Sequence, residues 1–145
     1  MEIGLKELTG SVPAYINFTK ELLLDGVAEL LPAEHVVIEI LEDTEIDEEL
    51  VQIIQELIEK GYTIALDDFT YSDEWRPLIN LSKIIKYDVM QYSLAEINAQ
   101  RQNFPYSNIK LLAEKVETQE EFNTFSKAGF DYFQGYFFAK PTVIS

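Results

Sequence analysis

Thr63-Ile64-Ala65-Leu66 is an apolar run that ends in two adjacent carboxylates, Asp67 and Asp68, ahead of Phe69. The run reads as a buried strand. Two ionised neighbours at its end are harder to place, because they repel one another and each resists leaving water. A bound cation is the economical offset. Other strands must then deliver matching ligands to the same point, which is a strong demand on the fold.

The chain meets that demand by alternating. Ala14-Tyr15-Ile16-Asn17-Phe18 is a strand candidate, and Thr19 is a plausible N-cap for a helix from Lys20 to Leu31, stopped by Pro32. Val36 to Leu41 is β-branched and apolar almost throughout. Asp47 to Lys60 is the clearest helix, with Leu50, Ile53, Ile54, Leu57 and Ile58 on one face and Gly61 as its stop. After the Thr63–Phe69 strand comes an irregular passage with Tyr71 and Trp75, then a short helix near Leu78 to Ser82. Strand Ile84–Val89, helix Leu94–Gln102, strand Ile109–Glu114, a helix capped by Thr118 and running to Lys127, and strand Tyr132–Phe138 complete the series.

Strands separated by helices mean a parallel sheet, and strands apolar on both faces are covered by helices. An open doubly wound sheet and a β/α barrel both satisfy this. The polar residues favour the barrel. Asn17, Glu39, Asp67 with Asp68, Lys86, Glu114 and Gln134 each lie at or near the C-terminal end of a strand. An open sheet gathers ligands at one switch point, whereas a barrel aims every strand at a shared mouth. A response-regulator receiver domain also carries an acidic pair, a later aspartate and a Lys-Pro, here Asp67-Asp68, Asp88 and Lys140-Pro141. The order does not fit: two strands precede the pair, and Asp88 lies on the very next one.

Taken singly, several of these residues have plain structural readings. Asn17 suits a turn or cap, Lys86 an ion pair, and His35 an exposed position after a helix stop. Glu39 is harder to dismiss, since a carboxylate between Ile38 and Ile40 needs a partner.

The 145 residues carry 26 acidic against 11 basic side chains, a net charge of −15, and no cysteine. Nucleic-acid polymers and anionic membranes are therefore poor partners, and an anionic ligand needs a metal or local cation to enter. Thiolate sites and disulfides are excluded. No apolar run approaches the roughly 20 residues of a membrane span, and the N-terminus lacks a signal peptide's blocks, so a soluble, cytoplasmic protein is expected.

Six segments occur in a telling order: Tyr15-Ile16-Asn17-Phe18-Thr19, Ile38-Glu39-Ile40-Leu41-Glu42, Leu66-Asp67-Asp68-Phe69, Ile85-Lys86-Tyr87-Asp88, Ala113-Glu114-Lys115-Val116-Glu117-Thr118 and Gln134-Gly135-Tyr136-Phe137-Phe138-Ala139-Lys140-Pro141. Together they resemble the later motifs of the EAL domain, the bacterial phosphodiesterase of cyclic di-GMP. The resemblance covers essentially residues 1–145. It implies an α/β fold, a TIM-type β/α barrel of which about six of the eight βα units are present. It also implies signalling through cyclic di-GMP, hydrolysed to the linear dinucleotide with Mg²⁺ or Mn²⁺.

By the same resemblance, Asn17, Glu39 and Asp67 hold divalent metal, and Asp68 serves a second metal or the attacking water. Lys86 stands near that water and the scissile phosphate, Glu114 and Gln134 complete the metal and water network, and Glu42 steadies the loop after the acidic pair. Hard oxygen donors suit such metals, and a cation helps the phosphate's charge.

Three departures from the family pattern matter. The Glu-Ala-Leu or Glu-Val-Leu motif on an early strand, whose glutamate is a metal ligand, is absent; Glu39-Ile40-Leu41 imitates its letters within a different motif. The loop Thr70 to Arg76 lacks the usual glycine stretch, and Lys115 stands where the family has glycine. These residues alone are accordingly expected to be inactive or weak. A degenerate module that binds the dinucleotide or a protein is the alternative. The strands at the two sheet edges are expected to be covered, by a homodimer or by Met1–Thr9 folding back. The segment around Asn17 and the acidic stretch after Glu42 resemble most the subgroup in which this domain precedes an HDOD domain.

Overall fold

Parallel strands and helices alternate throughout the computed structural model, which describes residues 13–67, 72–104 and 109–135. In order these are β1 (Ala14–Phe18), α1 (Lys20–Leu24), β2 (Val36–Leu41), α2 (Glu48–Glu59), β3 (Thr63–Asp67), α3 (Arg76–Leu81), β4 (Ile84–Asp88), α4 (Leu94–Arg101), β5 (Lys110–Glu114), α5 (Gln119–Lys127) and β6 (Tyr132–Phe133). The six strands form one sheet in sequence order, every neighbouring pair parallel. Each connection returns the chain to the same end of the sheet, the βαβ repeat of a β/α barrel.

Local chemistry sets the helix starts. Thr19 accepts a hydrogen bond from the Leu22 N–H, and Asp47 does the same for Leu50. Ser93 with Glu96 and Thr118 with Glu121 form complete capping boxes, each satisfying two otherwise unpaired N–H groups. The helix expected from Lys20 to Leu31 is shorter in the structure. It stops after Leu24 because Gly26 takes a left-handed conformation (φ 77°), and a 3₁₀ turn over Val27–Leu30 carries the apolar spacing onward. The irregular passage after Phe69 contains a 3₁₀ turn, Asp73–Trp75, that leads directly into α3. Trp75 is buried there, which makes it an anchor of that loop. Tyr71 lies outside the described residues.

The sheet has two unlike faces. Outward, Phe18, Ile38, Ile40, Ile64, Leu66, Ile85, Tyr87 and Leu111 pack with Leu23, Leu50, Ile54, Leu57, Leu78 and Ile97 of the helices into one continuous core. Inward, a second and much smaller cluster joins Val37, Ala65, Ile84 and Leu112, with Tyr15 and Tyr132 against it. Strand alternation places the polar strand-end residues on this inner face, one step nearer the C-terminal ends. Among the described residues, no helix is long and apolar enough to cross a membrane.

β1 and β6 are the outer strands of the sheet as described. Ala14 and Asn17 of β1 are exposed. The Met1–Thr9 segment expected to fold back over this edge lies outside the described residues.

Candidate active site

The strand registers build the site in steps. Asn17 pairs with Glu39, so β1 and β2 place an amide and a carboxylate at one level. Glu39 pairs with Ala65, and Asp67 follows two residues later on the same face, opposite Lys86. Lys86 pairs with Leu112, and Glu114 again follows two residues later, opposite Asp88. Leu112 pairs with Tyr132, from which Gln134 is two residues on. This climbing stagger is the shear of a tilted barrel, and it brings six strands' polar residues to one mouth.

Lys86 is the centre of the arrangement. Its side chain is 2% exposed, and its Nζ donates to Glu39 Oε1 at 2.8 Å. Glu114 Oε2 is 3.5 Å from the same Nζ and Asp67 Oδ1 4.0 Å. The Tyr15 ring lies beneath, its centroid 5.5 Å away. Burial alone would push the ammonium's pKa down. The carboxylates of Glu39, Glu114 and Asp67 outweigh burial and hold it above the ordinary lysine value. Lys86 is thus held as a cation in a buried acidic cage.

Glu39, Glu114 and Gln134 are buried, Asp67 is half-buried, and Asn17 is exposed at the edge. Gln134 Oε1 is a buried acceptor with no hydrogen-bond partner among the described residues. Glu42, in the turn after β2, is exposed. Asp68 lies outside the described residues. His35 is exposed, as an isolated surface histidine should be.

The donor set is all oxygen, the chemistry that Mg²⁺ and Mn²⁺ prefer, and the orphaned amide oxygen of Gln134 adds an acceptor in search of a partner. In kind, the residues fit a divalent cation. In spacing, they close on an ammonium: among the described residues, no three His, Asp or Glu side chains are grouped to hold a metal.

Two features of the mouth were not legible as site residues. Tyr15 precedes Asn17 by two positions and Asp88 follows Lys86 by two, so the period of a strand puts each on the inner face. Asp88 is buried, accepts from the Met90 N–H at 2.8 Å, and pairs with Lys115 Nζ at 2.8 Å.

The profile of the EAL domain matches residues 98–141. The chain is 39% identical over 146 residues to the cyclic di-GMP phosphodiesterase CdgJ of Vibrio cholerae, an alignment covering 99% of this chain. By sequence the chain is similar to EAL domain proteins. It spans about a third of the length of the curated relatives it matches, 34% in the case of CdgJ. EAL structures share its fold. The PaMucR phosphodiesterase, solved with c-di-GMP, superposes with a TM-score of 0.71 at 22% identity, over 94% of this chain and 71% of that one. The Klebsiella pneumoniae BlrP1 complex with manganese and cyclic di-GMP gives 0.65 at 22% identity, over 89% and 39%. The six strands described here therefore share the TIM-barrel-like fold of these structures.

Proposed function

We propose that residues 1–145 form a partial EAL domain whose site takes cyclic di-GMP with Mg²⁺ or Mn²⁺. We further propose that these residues by themselves hydrolyse it weakly or not at all, for want of the EAL-motif glutamate. The observation that carries the reading is Lys86, sunk among Glu39, Asp67 and Glu114 at the strand ends. A lysine held charged in a dry site is suited to a phosphate, and the surrounding carboxylates are suited to the cation such a phosphate needs.

In this reading Asn17, Glu39 and Asp67 hold the metal, and Asp68 serves a second metal or the attacking water. When bound, the metal lowers the pKa of a water molecule and neutralises phosphate charge. Lys86 faces the scissile phosphate, Glu114 and Gln134 orient the water, and Glu42 steadies the neighbouring loop. Where hydrolysis occurs, water adds to phosphorus, one phosphodiester bond opens, and the linear dinucleotide leaves. A chain of net charge −15 repels a dianionic ligand, which is why divalent cations should govern its entry.

The second reading is a module that binds the dinucleotide or a protein without hydrolysis, and what favours it is the direct ion pair of Lys86 with Glu39, a carboxylate that the first reading gives to the metal. We also propose a homodimer that covers the β1 edge, and a cytoplasmic setting beside another signalling domain, HDOD being one candidate.

Calorimetry of the purified chain with cyclic di-GMP, with and without Mg²⁺ or Mn²⁺, is the direct test, coupled to chromatography of the products. Binding that requires the divalent ion and disappears in Asp67→Ala, with little linear product, is expected. Absence of dinucleotide binding under all these conditions sinks the site reading. Sustained turnover that Asp67→Ala abolishes overturns the claim of weak activity.

A further inference from the structure

Lys115 combines two features that single it out. It has a left-handed backbone (φ 63°), the only non-glycine residue among the described residues with positive φ. It also sends its ammonium to Asp88 Oδ2 at 2.8 Å, a carboxylate whose side chain is only 2% exposed. A side chain is disfavoured in that backbone region, and a buried carboxylate is costly without a cation. Each feature accounts for the other: the strained turn aims the ammonium at the one buried acid that it can neutralise.

The surroundings give this pair leverage on the site. Asp88 and Glu114 are register partners at the ends of β4 and β5, and the Val89 N–H donates to the Glu114 carbonyl at 3.2 Å. Lys115 directly follows Glu114, and Asp88 lies two residues from Lys86 on the same face. On the other side, the Val116 N–H donates to the Gln134 carbonyl at 3.1 Å. Gly135 packs so tightly on Val116 that a Cβ there would stand 2.3 Å from the Val116 carbonyl oxygen. The turn 114–116 is thus held from both flanks, and it carries Glu114 while bonding the backbone of Gln134.

We infer that Lys115 is a positioning residue. Its ion pair with Asp88 clasps the ends of β4 and β5 and so fixes the Glu114 carboxylate against Lys86, the geometry on which ligand binding at this mouth depends. Lys115 need not touch the ligand. The inference rests on the site reading above and concerns a residue that this reading does not use.

Lys115→Gly is the informative variant, because glycine tolerates the backbone and only the clasp is lost. It should melt at a lower temperature, because buried Asp88 loses its cation, and, well below that melting point, bind Mn²⁺ and cyclic di-GMP roughly 10-fold or more weakly, as loss of a residue supporting a metal ligand does. Lys115→Arg, which retains a cation, should restore most of that affinity. Binding by Lys115→Gly equal to wild type overturns the inference, as does failure of arginine to rescue. If the wild type binds neither ligand, the site reading itself has failed, and amide hydrogen exchange then decides the clasp alone. Faster exchange at Val89 and Val116 in Lys115→Gly supports it, and unchanged exchange overturns it.

Discussion

The two faces of the sheet are built on opposite principles. On the outer face, Ile38, Ile40, Ile64, Leu66 and Ile85 meet the apolar stripes of the helices, and the side chains are large, aliphatic and chemically alike. On the inner face, a thin floor of Val37, Ala65, Ile84 and Leu112 carries a layer of Glu39, Asp67, Lys86, Asp88 and Glu114. Helix packing needs shape and hydrophobicity, so outer positions tolerate exchange of one aliphatic for another. The inner layer depends on each charge having its counter-charge in place, so no member can be exchanged alone. Stability is spread over one face, and specificity is concentrated on the other.

The largest expected effect comes from breaking the inner layer at its centre. Lys86→Met preserves length and removes the charge, leaving Glu39, Asp67 and Glu114 together in a dry site. Breaking a buried pair by removing one partner costs about 3–5 kcal/mol, and that loss should appear in urea unfolding. A cost under about 1 kcal/mol, the range of exposed pairs, would mean that the cage is wet and the two faces are not so different.

Next in size are truncations of the apolar residues. Leu66→Ala on the outer face should cost about 3 kcal/mol, since Leu66 is fully buried and the helices cannot collapse onto the gap. Val37→Ala on the inner floor removes two methyl groups and should cost about 1.5–2 kcal/mol by transfer alone. If Val37→Ala proved the costlier, the inner floor and not the helix-facing core would be the more tightly packed region.

The outer face was legible in the sequence because its logic is periodic. Leu50, Ile54 and Leu57 of α2 are all fully or nearly fully buried, and Asp47 caps that helix, as its spacing indicates. The inner residues were legible for a different reason. Glu39 stands out between Ile38 and Ile40, and Lys86, Glu114 and Gln134 stand at strand ends, where a parallel sheet delivers its chemistry. Contacts between strands were not legible. That Lys86 reaches Glu39 across β3, or that Lys115 meets Asp88, depends on register, which no single segment encodes. The break at Gly26 was hidden too, because a 3₁₀ turn over Val27–Leu30 keeps apolar residues at almost helical intervals.

A smaller effect separates the faces by pH. The folded Lys86 pKa lies above that of the unfolded chain, so its contribution is complete below about pH 10.4 and is lost as pH rises through the folded value. Tyr87 on the outer face is also raised, by burial, and loses stability on the same alkaline side. The useful quantity is therefore the difference between wild type and Lys86→Met. It should be flat from pH 7 to 10 as far as Lys86 is concerned and shrink at higher pH. A difference that shrinks below pH 10 would place the folded pKa lower than this cage allows.

The smallest effect belongs to lysines that belong to neither face. Lys60 pairs with Glu29, but their side chains are 54% and 40% exposed, so water and salt compete for both partners. Lys60→Ala should leave the urea midpoint unchanged within error. Salt turns this into a comparison of the two environments. At about 1 M NaCl the screening length falls to roughly 3 Å, which removes what an exposed pair contributes while scarcely reaching a cage from which water is excluded. The stability difference between wild type and Lys86→Met should therefore be the same in low and high salt. If salt collapsed it, Lys86 would be an ordinary exposed lysine in energetic terms, and the inner face would owe its arrangement to the backbone register alone.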